Sequence, residues 1–511
     1  MRSPAARPSA PGGPWRPEDS GPGYRGQAAE ESRHRQLYRI IRWTAIGVTV
    51  LLVAVTLGGY AVYQHLDANL NVVSITGLKH QPPPSAKGVE NILVLGSQTR
   101  NGQSGGQAEF GTDPDTNLSD NIILFHLNAA HTRATVVSIP RDTLVDEPAC
   151  GDVPAMAQAI IDGAMNQGGP ACAVATVEQL TGIRVDHFVR FTFNSFRDMI
   201  DAVGGVQVCL KQPVDDPYSH LKLAAGKHFI TGNEALEFVR TRHGVGDGGD
   251  LGRIELQQEF ISSLMQKVSR KNLLDDPDTL LKLANVATSD VTVDTGLGSV
   301  SALLEQAYGM RDLKTPNVTF VTMPTVQDPA DPDRLLPEYP EDDIIWQLLK
   351  NDQTWTGHLP APPTATVDVT VLNGTGQAGL AASTAAALRK LGFGVTAVGN
   401  APAAAATTTV SYTGTGAAEG AYALMSALKV VPGGANSGTR TITLTIGADF
   451  GGVKTPAATG AGGLGISNNP DTSVGAAQQN GTSYAVVQTR SAAANICSGL
   501  PDANPDTGTP P

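Results

Sequence analysis

The sequence predicts an α/β protein: a sandwich with a mixed central sheet flanked by helices, one N-terminal transmembrane helix and a small C-terminal α/β domain. Three observations predict it. Strand-like and helix-like patterns alternate between residues 89 and 325, a shorter alternation begins at 367, and residues 40–63 form one apolar run. Length agrees, because 511 residues exceed what one ordinary core holds.

Taken in order, residues 1–39 are rich in Pro, Gly and Arg and lack apolar periodicity, so they are expected to be a disordered cytoplasmic tail. The run "IIRWTAIGVTVLLVAVTLGGYAVY" at 40–63 follows. Roughly 20 such residues span a bilayer core as a helix. Trp43 sits near one end and Tyr60 and Tyr63 near the other, as in an aromatic belt. Arg33, Arg35, Arg39 and Arg42 crowd the N-terminal flank. The positive-inside rule then retains the tail and exports the rest, giving a single-pass type II membrane protein with its main domain outside the cytoplasm. A cleaved signal peptide fits less well: the run is long, lies late and lacks a small-residue cleavage site. Residues 64–88 end in "HQPPPSAKG" and read as a stiff linker.

The main domain, 89–325, opens with "VENILVLGS". Buried-strand patterns recur at 121–127, 134–139, 187–193 and 206–210, with a last strand in "VTFVTMPT". Helical patterns fall at 155–166, 171–181, 194–203, 233–240, 250–270 and through 275–310. Pro-rich sequence at 326–364 marks a linker. Within 365–450, "VDVTVLNGTGQAGLAASTAAALRKLGFGVTAVG" reads as strand, Gly turn, Ala-rich helix and strand. "TTTVSYTG" and "RTITLTIGADF" are expected to complete that domain. Residues 451–511 read as a mostly disordered tail.

Cys150, Cys172, Cys209 and Cys497 all follow the apolar run, and an even count in an exported domain suggests two disulfides. Of three pairings, Cys150–Cys172 with Cys209–Cys497 is preferred: the first closes a short loop and the second anchors the tail. The net charge of −12 disfavours a nucleic-acid partner.

Against that acidic background, "VVSIPRDTLVD" at 136–146 puts Arg141 at the end of a buried strand. "FVRTRHGVGDGGDLGRIELQQ" at 238–258 adds Arg240, Arg242, His243 and Arg253, with Gln257 one helical turn beyond Arg253. Guanidiniums held together repel one another, and a phosphate or pyrophosphate relieves this by bidentate pairing. Asp120 precedes the strand 121–127 and could hold Mg²⁺, which takes one or two carboxylates plus phosphate oxygens. The bland alternative is an exposed, salt-bridged loop and helix. Phe188, Phe191, Phe193 and Phe196 are candidates for an apolar channel, although core packing serves as well.

Residues 89–270 resemble the LytR–CpsA–Psr phosphotransferases of Gram-positive cell envelopes. The likeness is carried, in order, by "NILVLGSQTR", "LSDNIILFHLN", "VVSIPRDTLV", "VEQLTGIRVDHFVRFTFNSFRDMIDAVGGVQVCL", "GNEALEFVRTRH" and "GDLGRIELQQ". Residues 367–399 resemble the C-terminal LytR-type domain of actinobacterial members. The resemblance implies a type II membrane enzyme that moves a phosphorylated glycan from a polyprenyl pyrophosphate carrier to peptidoglycan and releases polyprenyl phosphate. It implies that Asp120 binds Mg²⁺ or Mn²⁺. It also implies that Arg100, Arg141, Arg240, Arg242, Arg253 and Gln257 bind the pyrophosphate, and that Asp250 is an N-cap, a brace or a base. One departure stands out. The family's Gly-x-Asp-x-Arg is here Gly96-Ser97-Gln98-Thr99-Arg100, so Gln98, Asp113 or Asp115 is left to supply the second metal ligand. Two rivals use the same residues: a pyrophosphatase acting on the carrier, and a non-catalytic scaffold that binds lipid-linked glycan. Composition suggests a high-GC actinobacterium, for which arabinogalactan is the expected polymer by analogy.

Overall fold

The computed structural model describes residues 23–75, 78, 81–97, 118–243, 250–271, 276–353, 367–412, 417–428, 433–436, 442–454, 489–494 and 497. The chain divides into two units, one ending at His65 and one starting at Leu66. The first holds most of α1 (Gly23–Ala68). Its segment Leu37–Ala68 is long and apolar enough to cross a membrane, and Leu51, Leu52 and Leu57 are exposed on it.

The second unit begins with β1 (Asn71–Val73), β2 (Glu90–Ser97), β3 (Ser119–Leu127), β4 (Ala134–Ile139), β5 (Leu144–Glu147) and β6 (Met156–Ile160). Next come α2 (Ala164–Thr181), β7 (His187–Phe191), α3 (Phe193–Ala202), β8 (Val206–Leu210), β9 (Val214–Asp216), β10 (Leu221–Leu223) and β11 (Gly226–Ile230). Then follow α4 (Gly232–Arg240), α5 (Asp250–Lys271), α6 (Pro277–Ser289), β12 (Thr292–Asp294) and α7 (Val300–Gly309). This domain closes with β13 (Val318–Thr322), β14 (Thr325–Gln327), β15 (Leu335–Pro337) and α8 (Glu341–Lys350). The C-terminal domain contains β16 (Asp368–Asn373), α9 (Leu380–Lys390), β17 (Gly394–Asn400), β18 (Thr409–Tyr412), α10 (Ala418–Ser426), β19 (Gly433–Asn436) and β20 (Ile442–Ile446). A final strand, β21 (Thr489–Ser491), lies in the tail.

The central sheet is mixed, in the order β1-β12-β7-β2-β3-β4-β13-β21. Its middle strands are near-continuous apolar runs because both faces are covered. One face carries Leu93, Leu95, Ile122, Leu124, Val137 and Phe188 into the main core under α2. The other carries Val136, Phe320 and Leu127 toward α5. The small domain is a five-stranded sheet, β17-β16-β20-β18-β19, with its own core of Val369, Val371, Leu388, Tyr412 and Leu444. Both disulfides, Cys150–Cys172 and Cys209–Cys497, are present.

Six expectations are corrected. Residues 23–39, read as part of a disordered tail, are the first stretch of helix α1, where the run "GQAAEESRHRQL" is rich in helix-forming residues. Met156–Ile160 is not helical but forms β6, paired antiparallel with β5. Its Ala, Met and Gln are good helix formers, but propensity is a weak determinant and hairpin pairing overrides it. The linker 64–88 is partly structured: α1 runs to Ala68, and β1 joins the sheet parallel to β12. The helical reading of 275–310 breaks at β12, where the β-branched pair Thr292 and Val293 pairs with β7. The Pro-rich linker 326–364 is structured through Gln353, because α8 buries Ile345, Trp346 and Leu349 in the main core. The tail 451–511 contributes β21, antiparallel to β13, with Ala492 fully buried. There Gln266 Nε2 donates to the Ala492 carbonyl at 2.8 Å, and Cys497 is bonded to β8.

Candidate active site

Strand register builds the site. Ile122 pairs with Ile139, so Asp120, two residues before Ile122, meets Arg141, two residues after Ile139. The Arg141 guanidinium donates to Asp120 Oδ1, and its Nε lies 3.5 Å from Asp142 Oδ1. Asp142 is in turn 4.0 Å from Arg334, which adjoins β15. Leu335 N donates to the Asp142 carbonyl at 3.1 Å, so the segment expected to be a linker clamps the Arg141 loop.

Helix α5 lies against the sheet, fixed by Gln258 Nε2 donating to Thr322 Oγ1 at 3.1 Å. Five residues earlier, buried Arg253 donates from Nη2 to the Asp120 carbonyl at 3.1 Å, and its Nη1 is 3.6 Å from Asp120 Oδ1. Gln257 Nε2 donates to the Val239 carbonyl at 2.9 Å, tying α5 to the end of α4. Arg240 closes α4 with its guanidinium 4.6 Å from the centre of the Phe193 ring. Arg242 reaches to 3.9 Å from Asp120 Oδ1.

Asp120, Arg141, Arg240, Arg242, Arg253 and Gln257 line one cavity of about 320 Å³. Four guanidiniums in its wall face two carboxylates, Asp120 and Asp216, leaving a positive excess. Such an excess is costly unless an anion relieves it. Asp120, Arg141, Arg240, Arg242, Arg253 and Gln257 are therefore brought together. Gln98, Arg100, Asp113 and Asp115 lie outside the described residues, as does the side chain of Asp250. Phe188 is wholly buried in the main core, and Phe193 and Phe196 pack on the satellite cluster around Phe238 and Phe260. Phe191 packs with Val293 and Leu297.

Sequence reasoning missed Asp216, Tyr218 and Asp162. Asp216 is buried and gathers the backbone N–H groups of Tyr218 at 3.0 Å, Arg242 at 3.1 Å and His243 at 3.2 Å. Burial alone would raise its pKa, but these donors and that of Ser219 outweigh it and hold the carboxyl below its usual value. The run "VDDPYSH" was its only signal. Asp162, in a 3-10 turn after β6, is pushed up to about 6 by burial, against the pull of Arg141 and with the push of Asp142 and Asp120.

Among the described residues no three His, Cys, Asp or Glu side chains cluster as a metal cage. Asp120 presents a single carboxylate to the cavity. That fits an ion of the Mg²⁺ type, which keeps one or two protein carboxylates and completes its shell from phosphate oxygens and water.

Comparisons with known proteins identify relatives of this chain. A family model described as LytR_cpsA_psr matches residues 59–337, and one described as the LytR cell envelope-related transcriptional attenuator matches 366–450. The chain is 29% identical over 422 residues to the cell wall biosynthesis protein LcpA of Corynebacterium glutamicum, covering 73% of this chain and 79% of that one. It is 26% identical over 295 residues to the polyisoprenyl-teichoic acid–peptidoglycan teichoic acid transferase TagU of Oceanobacillus iheyensis, covering 55% and 86%. A solved LytR-Csp2A-Psr enzyme from Actinomyces oris aligns with TM-score 0.43 and 22% identity, over 56% of this chain and 96% of that one. The first model spans more than half of the sequence, and the chain belongs to the LytR_cpsA_psr family, whose relatives named above are cell-wall biosynthesis proteins and transferases.

Proposed function

We propose that this protein transfers a phosphorylated glycan from a polyprenyl pyrophosphate carrier to peptidoglycan on the outer side of the membrane, releasing polyprenyl phosphate. The observation that carries the reading is the cavity in which Arg141, Arg240, Arg242 and Arg253 surround Asp120. Phosphoryl transfer is mainly positioning and charge stabilisation, which is what fixed guanidiniums supply. The acceptor hydroxyl attacks the sugar-linked phosphorus, and the bond from that phosphorus to the prenyl phosphate oxygen breaks. Buried Arg253 and sheet-anchored Arg141 hold the phosphates in line, and Arg240 and Arg242 balance charge on the leaving side. Mg²⁺ or Mn²⁺ bound at Asp120 would neutralise phosphate oxygens. The apolar segment at 37–68, with its basic N-terminal flank, supports a type II anchor that keeps the cavity near a lipid-borne donor. Arabinogalactan is the glycan this reading favours.

The test supplies the full chain in detergent with prenyl pyrophosphoryl-N-acetylglucosamine, labelled in the sugar, and purified peptidoglycan. Label is expected in the peptidoglycan together with one equivalent of prenyl phosphate. Free sugar phosphate alone would make the protein a pyrophosphatase, and unchanged donor would make it a scaffold.

A further inference from the structure

An acceptor hydroxyl must lose a proton as it attacks, and the cavity's described residues offer few groups to take it. Asp120 Oδ1 already faces the guanidiniums of Arg141, Arg253 at 3.6 Å and Arg242 at 3.9 Å. Asp216 is buried, with its oxygens accepting from backbone N–H groups. The Ser219 hydroxyl is bonded to Thr241 Oγ1 at 2.8 Å. Asp162 is not among the residues that line the cavity, and of the lining groups His243 is an imidazole whose side chain is 55% exposed.

His243 is held on three sides. Its backbone N–H donates to Asp216 Oδ2, its Nδ1 lies 3.4 Å from Asp216 Oδ1, and its ring stacks on Tyr218 with centroids 4.5 Å apart. A carboxylate facing Nδ1 places the ring proton there and leaves the lone pair on Nε2. Buried Asp216 thus does two things: it staples the Tyr218 turn to the Arg242–His243 segment after α4 and selects the imidazole tautomer.

We infer that His243, oriented by Asp216 and Tyr218, is the general base that takes the proton of the acceptor hydroxyl. The inference rests on the phosphotransfer reading above. As the acceptor oxygen forms its bond to the sugar-linked phosphorus, its proton passes to Nε2. The P–O bond to the carrier breaks, and the electron pair leaves on prenyl phosphate. The imidazolium then returns its proton to solvent. Asp216 is a positioning residue, since it acts through His243.

The experiment measures transfer by the full chain and its His243→Gly variant, with and without added imidazole, and donor affinity by prenyl pyrophosphate titration. The variant is expected to lose about 10²–10⁴-fold in kcat, with the donor KM changed far less. Imidazole is expected to restore transfer in proportion to its concentration. A residue that only shaped the loop would not be rescued in this way. His243→Gln, closer in size, is expected to lose kcat similarly and guards against misfolding of the Gly variant. Near-wild-type kcat in either variant, or a deficit in a donor-binding Gly variant that imidazole leaves untouched, overturns the assignment. Wild-type protein that neither binds nor consumes the donor overturns the phosphotransfer reading itself.

Discussion

Two regions of the molecule collect charges of one sign, and their fates differ. Around Asp120 the excess is positive and opens into a cavity. At the start of α8 the excess is negative and sealed between two cores: Ile345, Trp346 and Leu349 pack in the main core, and Ile344 packs in that of the C-terminal domain. The arginines keep their charge, because a guanidinium does not deprotonate and an anion from solvent can reach it. The acids at and just before the start of α8 are instead pushed toward their neutral forms. Burial pushes Glu338 up to about 8, with Glu341 adding to the rise, and pushes Glu341 up to about 7. Fully buried Asp342 stands far above the usual carboxylate range, mainly by burial and then by neighbouring Asp343. Asp343 is raised by burial as well, although the Tyr412 hydroxyl donates to it at 2.8 Å across the domain junction. Unbalanced charge open to solvent can be met by a ligand, whereas unbalanced charge sealed from solvent is pushed toward the neutral form.

The comparison breaks most directly at α8. Trp346→Ala empties a fully buried site and is expected to cost about 3–5 kcal/mol, read by denaturant unfolding. Arg141→Ala and Arg253→Ala should behave in the opposite way. Each is expected to cut transfer about 10²–10³-fold while thermal unfolding shifts far less, since each removes repulsion among guanidiniums as well as a contact. Lys is expected to rescue poorly because it lacks the planar fork. Asp120→Ala should lower both transfer and its Mg²⁺ dependence, and superimposable Mg²⁺ titrations for variant and wild type would remove Asp120 as a ligand.

A smaller effect separates the regions by pH. Glu338 and Glu341 hold protons in the folded protein to about pH 8 and 7, against an ordinary value of 4.5. Their contribution is complete below about pH 4.5, falls as the unfolded chain ionises first, and is gone above the folded values. Melting temperature is therefore expected to decline between pH 5 and 8, and Glu338→Gln should flatten that slope. An unchanged slope would mean that these acids ionise freely in the fold.

Much of the cavity was legible because its residues sit in short motifs whose spacing has one geometric meaning. Arg253 and Gln257 share a helix face, and Arg141 ends an apolar strand. Asp216 was not legible, since its role depends on partners at Arg242 and His243, 26 and 27 residues away. The sequence "EDDIIWQLLK" has the acidic first turn and apolar stripe of a docked helix, but flanking prolines masked it. β21 has three residues, too few to show a period, and only its pairing with β13 defines it. β6 was misread because its helix-favouring residues reveal their strand only through β5.

The claim on which the rest depends is that the arginine cavity binds pyrophosphate on a lipid. Calorimetric titration of the full chain in detergent with farnesyl pyrophosphate, at low and high salt, tests it most directly. The account predicts saturable binding that weakens as salt screens the guanidiniums and falls by at least tenfold in Arg253→Ala, the loss of about 1.4 kcal/mol or more. Absent binding, or equal affinity in wild type and Arg253→Ala, would contradict it.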